Sequence, residues 1–280
     1  MLKQDQHTID GIVYGPVASW RLGRSLGIDL LSTPGKTCTF DCLYCQLGRT
    51  THPQVERREF VPLARLASEL ERIESVEADY VAFSGVGEPT LASNLGQAIE
   101  LVRSALRLPV AVFTNASLMP RAEVRQELAR ADVVLVKLDA PSEDIFRLVN
   151  RPLTPYSLQE ILEGIKRFSS QYKGKWALQM MFIRGNRGCA ASMAKLAAEL
   201  SPDEVQINTP LRECGVDPLP PEDVAVIKDE FKGLRKVVTV YEAHRPQVVP
   251  LNLAETLRRR PIDKSRQEVE RHGSSCHDFE

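Results

Sequence analysis

No apolar run in the 280-residue sequence approaches the ~18 residues that a membrane-spanning helix requires, which excludes such a helix. The first residues, MLKQDQHTIDG, lack the apolar core of a secretory signal, so a cytoplasmic setting is expected. Neither charge is in excess. Lys plus Arg is 36 and Asp plus Glu is 37, a net charge of −1. That balance weighs against bulk, nonspecific nucleic-acid binding and leaves room only for a local basic patch. Internal repeats and low-complexity blocks are absent. Six cysteines are too few, in a chain this long, for a secreted disulfide framework. A chain of this size buries roughly three quarters of its unfolded surface and needs no such scaffold. With 43% apolar and 26% charged residues, disordered and collagen-like chains are excluded too.

What is present is an alternation. Leu63, Leu66, Leu70 and Ile73 fall on one helical face. So do Leu95, Ala98, Ile99, Val102 and Leu106, then Leu158, Ile161, Leu162, Ile165 and Phe168, then Val224, Ile227, Phe231 and Leu234. Between them lie short apolar runs that read as strands: 28–31, 80–84, 110–114, 133–138, 176–183, 205–208 and 237–241. Strands alternating with helices predict an α/β fold with a parallel sheet. Polar and glycine-rich segments follow the strands, at the end where α/β sheets and barrels carry their sites. The expected organisation is a lead segment over 1–27, a core over 28–245 and a basic, partly disordered tail over 246–280.

Three of the six cysteines crowd into eight residues, Cys38-Thr-Phe-Asp-Cys42-Leu-Tyr44-Cys45. Thiolates this close can converge on one centre. Iron–sulfur clusters are held by such cysteines. Zinc accepts the same ligands, but structural zinc takes four, and the nearest further donor is His52. Three thiolates on a four-iron cluster leave one iron open to a small molecule.

Further polar residues sit at the strand ends. In Ser84-Gly85-Val86-Gly87-Glu88, two glycines allow close backbone approach and Glu88 can accept from an ammonium group. Thr114 and Asn115 can hydrogen-bond a ribose or a carboxylate. Lys137 and Asp139 alternate around Leu138 and share a face, as do Gln206 and Asn208. Lys137 and Asp139 form either an ion pair or part of a substrate site. Arg184 and Arg212 can neutralise a carboxylate or a phosphate. The segment Ser32–Thr37 ends like a phosphate-binding loop but has Leu30 where that pattern needs glycine. GVGEPT lacks the third glycine of a dinucleotide fingerprint. Cys189, Cys214 and Cys276 are scattered, and they make an auxiliary site only if the fold gathers them.

The C-x3-C-x2-C loop, with an aromatic residue before its third cysteine, resembles the hallmark of the radical S-adenosylmethionine (SAM) enzymes. That resemblance implies a partial, TIM-like (β/α)6 barrel. It implies a [4Fe–4S] cluster on Cys38, Cys42 and Cys45, with SAM chelated to the open iron. Reductive cleavage of SAM would then give a 5′-deoxyadenosyl radical that abstracts hydrogen from a substrate. Gly85, Gly87 and Glu88 resemble the family's Gly-Gly-Glu motif for the SAM amino group. Asp139 stands where such enzymes meet the ribose. Tyr44, Thr114, Asn115, Gln206 and Asn208 complete the expected SAM site, and Lys137 is the expected catalytic residue. The implied reductant is a flavodoxin or ferredoxin.

The stretch from Tyr14 through Asp29, with Gln46-Leu47-Gly48, KLDAPSEDIFRLVNRP and VQINTPLRE, is similar to a group of iron–sulfur oxidoreductases related to wyosine-type tRNA-modifying enzymes. Trp20 departs from the second basic residue expected beside Arg21. The related 4-demethylwyosine synthases carry a second cluster on additional N-terminal cysteines, and no cysteine precedes Cys38 here. A tRNA base is one implied substrate, with Arg21, Arg24, Arg49, Arg57 and Arg58 as a possible basic rim. An activase or peptide-modifying enzyme and a non-catalytic cluster or zinc module are the alternatives.

Overall fold

The computed structural model describes residues 11–73 and 75–260. Eight strands form one sheet in the order β1-β2-β5-β6-β7-β8-β9-β10. They are β1 Val13–Ser19, β2 Gly23–Ile28, β5 Tyr80–Phe83, β6 Val110–Thr114, β7 Val133–Lys137, β8 Lys175–Met181, β9 Glu204–Asn208 and β10 Val237–Thr239. All run parallel to their neighbours except β1, which pairs antiparallel with β2 as a hairpin. Two further short strands, β3 Thr37–Cys38 and β4 His52–Pro53, pair with each other beside the sheet. The helices are α1 Leu63–Leu70, α2 Leu95–Leu106, α3 Ala122–Leu128, α4 Glu143–Val149, α5 Leu158–Ser169, α6 Ala190–Leu200, α7 Pro221–Asp229 and α8 Leu253–Arg259.

The sheet curls into a partial barrel. The six strands β2 and β5–β9 make the expected (β/α)6 core, with β1 and β10 extending its edges. Side chains alternate along each strand. Val81, Phe83, Val112, Val136, Leu178, Met180 and Ile207 belong to the main core, together with Leu66, Ile99 and Ile165 of the helices. The alternate residues of β5–β7 form a smaller inner cluster of Ala82, Ala111, Val133 and Leu135, to which Leu22 of the hairpin is added. Ala82 and Ala111 are the small members of that concave face, which Tyr80 and Phe113 flank. Local chemistry agrees with the helix positions. Ser157 and Glu160 close a capping box at the start of α5, for example.

Strand β2 lies earlier than the apolar run 28–31 suggests. Its sequence, GRSLGI, reads as a turn because glycine weakens strands. Gly27 is required there because the Tyr14 ring of β1 lies directly over its Cα and leaves no space for a Cβ. The 246–260 segment is docked rather than loose. Leu251 N–H donates to Gly15 O at 2.6 Å, and Gly15 N–H donates to Thr256 Oγ1 at 2.9 Å. Cys276 lies outside the described residues.

Candidate active site

The cysteine loop follows β2 and is gripped from two sides. On one side Asp29 turns the chain. Its Oδ1 accepts from the Leu31 and Ser32 N–H groups at 3.2 and 3.1 Å, and its Oδ2 from Val86 N–H at 3.3 Å. Thr37 N–H donates to Val86 O at 3.0 Å, and Glu88 N–H donates to Thr37 O at 3.2 Å. Gly87 sits so close to the Thr37 carbonyl that no side chain fits. Gly85, at φ +133°, has the Asp29 carboxylate in the same role. The two glycines thus admit neighbouring parts of the chain itself. On the other side, Asp41 and Leu43 donate to Asn150 O and Val149 O, at 3.1 and 3.0 Å, just after α4. Inside the loop, Cys45 N–H donates to Cys42 O at 3.1 Å, a tight turn that draws the second and third cysteines together.

Each thiol has a nitrogen donor or a cation near it. Asn115 Nδ2 lies 3.6 Å from Cys38 Sγ and 2.8 Å from Thr39 Oγ1. Asn150 Nδ2 lies 3.5 Å from Cys42 Sγ. Buried Lys36 donates to Gly48 O at 3.3 Å. Burial acts to lower the Lys36 pKa, but the Cys45, Cys38 and Cys42 sulfurs outweigh it and hold the ammonium above its usual value. In the absence of a ligand, burial pushes the Cys38 thiol up to about 12 and also raises Cys42. Three thiols with N–H donors and a buried ammonium suit a group that needs them as thiolates. Among the described residues no three His, Cys, Asp or Glu side chains are gathered for a single metal ion. Three thiols, one short of the four ligands that structural zinc takes, fit a sulfide-bridged cluster with one open iron better than zinc.

Glu88 is buried beside the loop, and its carboxylate accepts four hydrogen bonds. Oε1 takes Thr90 N–H at 3.2 Å, Thr90 Oγ1 at 2.7 Å and Thr114 Oγ1 at 2.7 Å, and Oε2 takes Asn115 N–H at 2.7 Å. Burial raises its pKa, and these donors oppose the rise. Asn115 therefore joins Glu88 to Cys38 through its backbone and its side chain.

Asp139 is also buried, behind the loop. Its Oδ1 accepts from Met181 N–H at 2.8 Å. Its Oδ2 takes the Tyr44 hydroxyl in a short contact and Asn150 Nδ2 at 2.7 Å. Burial, then Asp139, keeps the Tyr44 hydroxyl protonated far above its usual range. Lys137 Nζ stands 3.7 Å from Asp139 Oδ2 and 4.3 Å from the Tyr44 ring centroid. The lysine and aspartate do share a face, and they form an ion pair there. Gln206 and Asn208 are buried along β9, where Gln206 Nε2 donates to Glu204 Oε1 at 2.8 Å.

The arginines divide sharply. Arg24 pairs with Asp79 at 2.8 Å, Arg49 with Asp41 at 2.6 Å and Arg57 with Glu127. Arg58 lies over the Phe60 ring, and Arg184 is exposed. Only Arg21 of the expected rim turns inward, stacked 4.3 Å from the Trp20 ring centroid and 5.8 Å from that of Phe113 on the inner face. Cys214 packs with Tyr44 and Met181 near the loop, whereas Cys189 joins the main core at the start of α6.

Lys36 and Asn150 also border the cysteine loop, and neither is among the residues expected there. Lys36 belongs to the Gly-Lys-Thr of the rejected phosphate-loop pattern, and its place two residues before Cys38 is the available signal. Asn150 lies in the segment KLDAPSEDIFRLVNRP, but its partner Cys42 is 108 positions away, so its contact with the cysteine loop has no local signal.

A model of the radical SAM superfamily matches residues 32–197, more than half of the chain. A UPF0026 protein of Synechocystis is 41% identical over 201 residues, covering 71% of this chain and 76% of that one. A UPF0026 protein of Methanocaldococcus jannaschii is 35% identical over 237 residues, covering 82% and 71%. Among solved structures, Streptococcus suis SuiB bound to S-adenosylmethionine shares the fold at a TM-score of 0.59 and 13% identity. That alignment spans 78% of this chain and 50% of SuiB, so the chain covers about half of that larger protein. The family match and these relatives agree with the geometry: the chain belongs to the radical SAM superfamily, within the UPF0026 proteins, and is an enzyme of that class using a [4Fe–4S] cluster and SAM.

Proposed function

We propose that the enzyme generates its radical at the mouth of the partial barrel and abstracts hydrogen from a substrate held against the inner face of the sheet. The observation that carries this reading is the hydrogen-bonded chain from Cys38 through Asn115 to Glu88, which ties the cluster loop to the expected SAM site. A [4Fe–4S] cluster held by Cys38, Cys42 and Cys45 would supply one-electron reductive cleavage of bound SAM to methionine and a 5′-deoxyadenosyl radical, which would take up the substrate's hydrogen atom as 5′-deoxyadenosine. A reductant of the flavodoxin or ferredoxin class supplies that electron.

In this reading Cys38, Cys42 and Cys45 ligate three irons. Gly85, Gly87 and Glu88 border the methionine end of SAM. Oε2 of Glu88 accepts one hydrogen bond within the chain and retains capacity for an ammonium group. Thr114 and Asn115 orient Glu88, and Asp139 orients Tyr44, so these three act as positioning residues. Lys137, about a quarter exposed, is the cation available to a carboxylate at the mouth. Gln206 and Asn208 face the adenine or the substrate. The ion-paired Arg24, Arg49 and Arg57 give little support to an RNA-binding rim.

The test is anaerobic reconstitution with iron and sulfide, then addition of SAM and a strong reductant. About four irons per chain and 5′-deoxyadenosine detected by mass spectrometry are expected. Tightly held zinc without SAM cleavage would overturn the reading.

A further inference from the structure

Four buried side-chain polar atoms lack a hydrogen-bond partner among the described residues, and three belong to Arg21, Gln206 and Arg212. Arg21 comes from the β1–β2 hairpin and lies over Phe113 of the inner face. Gln206 lies on β9, offset by one residue from the core-facing Val205 and Ile207, so it too is on the inner face. Arg212 follows β9 in the loop at the barrel mouth, and its electrostatic neighbours include Cys45 and Tyr14. Burial followed by other arginines lowers the pKa of both guanidinium groups: Arg260, Arg212 and Arg245 act on Arg21, and Arg260 and Arg245 act on Arg212, which falls to about 9. Like charges held near one another, each with one buried nitrogen left unpaired, are costly. Proteins keep such an arrangement where a ligand offsets the cost.

We propose that Arg21 and Arg212 bind an oxyanion group, a carboxylate or a phosphate, on the substrate inside the partial barrel. This rests on the reading above that the substrate occupies the inner face. A guanidinium presents a planar fork of donors that matches both oxyanions. The stack on Trp20 holds the Arg21 fork in place, and the Gln206 carbonyl is free to accept from a neutral donor on the same molecule.

The test needs neither reductant nor turnover. The reconstituted protein is titrated calorimetrically with inorganic phosphate and, separately, with malonate. Saturable binding of at least one is expected, and which one binds distinguishes a phosphorylated substrate from a carboxylic acid. Arg21→Gln and Arg212→Gln should each weaken it at least about tenfold, the loss of one charge-assisted hydrogen bond. Arg21→Lys, which keeps the charge but not the fork, should fall between. Arg21→Gln should also raise the melting temperature of the free protein, since it relieves repulsion, and this shows that the variant folds. Binding of neither anion, or binding undiminished in both glutamine variants, would overturn the proposal. It would also fall if SAM affinity dropped in step with anion affinity, because the arginines would then serve the SAM carboxylate. Failure of wild-type SAM cleavage would instead count against the radical reading, independently of these titrations.

Discussion

Buried Arg259 and the half-buried pair Arg21 and Arg212 behave in opposite ways. Arg259 of α8 satisfies its guanidinium completely. It donates to Asp29 Oδ2 at 2.8 Å, to Glu255 Oε2 at 2.5 Å, to Gly11 O at 2.5 Å and to Ser32 Oγ at 3.1 Å. Burial works against its charge, but Asp29 and Glu255 more than offset this. Arg21 and Arg212, on the concave side, leave donors unpaired and repel each other. The contrast extends to their surroundings. Around Asp29, Glu88 and Asp139 every carboxylate oxygen has a donor, whereas the inner face keeps vacant hydrogen-bonding capacity. These partnered carboxylates build a rigid frame around the cysteine loop, with Glu88 Oε2 keeping one further acceptor site. Unsatisfied ones await a molecule that arrives and leaves.

Variants of the saturated region should damage structure or cofactor, and the largest effect is expected at the ligands. Cys42→Ala should eliminate SAM cleavage and reduce retained iron, and a variant that still makes 5′-deoxyadenosine at the wild-type rate would break the assignment. Arg259→Leu strands the Asp29 carboxylate, 0% exposed, without its cation. A loss of about 3–5 kcal/mol in urea unfolding is expected. A smaller loss would mean that Asp29 is held mainly by the backbone N–H groups of Leu31, Ser32 and Val86.

Asn150→Ala removes donors to Asp139 and Cys42 together. It should cost about 1–3 kcal/mol of stability. Losing a hydrogen bond to the sulfur should also move the cluster midpoint potential to a more negative value, measurable by an EPR-monitored redox titration. An unchanged potential would restrict Asn150 to holding Asp139.

The smallest effect sharpens the comparison at the base of the inner face. Glu204 is buried, which would raise its pKa, yet Lys236 at 2.7 Å, Gln206 and Lys175 outweigh burial and depress it. A depressed carboxylate contributes stability above its unfolded pKa and loses it as pH falls through the lower, folded value. Glu204→Gln should therefore flatten the acid limb of the melting temperature against pH. If the wild type and the variant lose stability in parallel on acidification, the pair has no such role.

Much of this is legible in the amino-acid sequence. The helix faces at 63–70, 95–106 and 158–168 announced themselves by apolar spacing, and the cysteine loop by its crowding. The β1–β2 hairpin was hidden because Gly15, Gly23 and Gly27 imitate a turn, and only the Tyr14 ring lying on Gly27 explains a strand there. Thr114 and Asp139 were recognisable as polar residues at strand ends. That they serve Glu88 and Tyr44 depends on contacts 26 and 95 residues apart in the chain.

The alternation of strand and helix, the three-thiol loop and the glycine–glutamate turn after β5 follow from the order of the amino acids alone. Each of these is a pattern within a few residues, written by side-chain period or ligand spacing. Which polar groups are spent and which are left over depends on how distant segments pack. Arg24, Arg57 and Arg259 look no different from Arg21 and Arg212 in the sequence. Their fates diverge because a guanidinium's partners come from distant strands and loops, and only the curl of the sheet brings those groups together or keeps them apart.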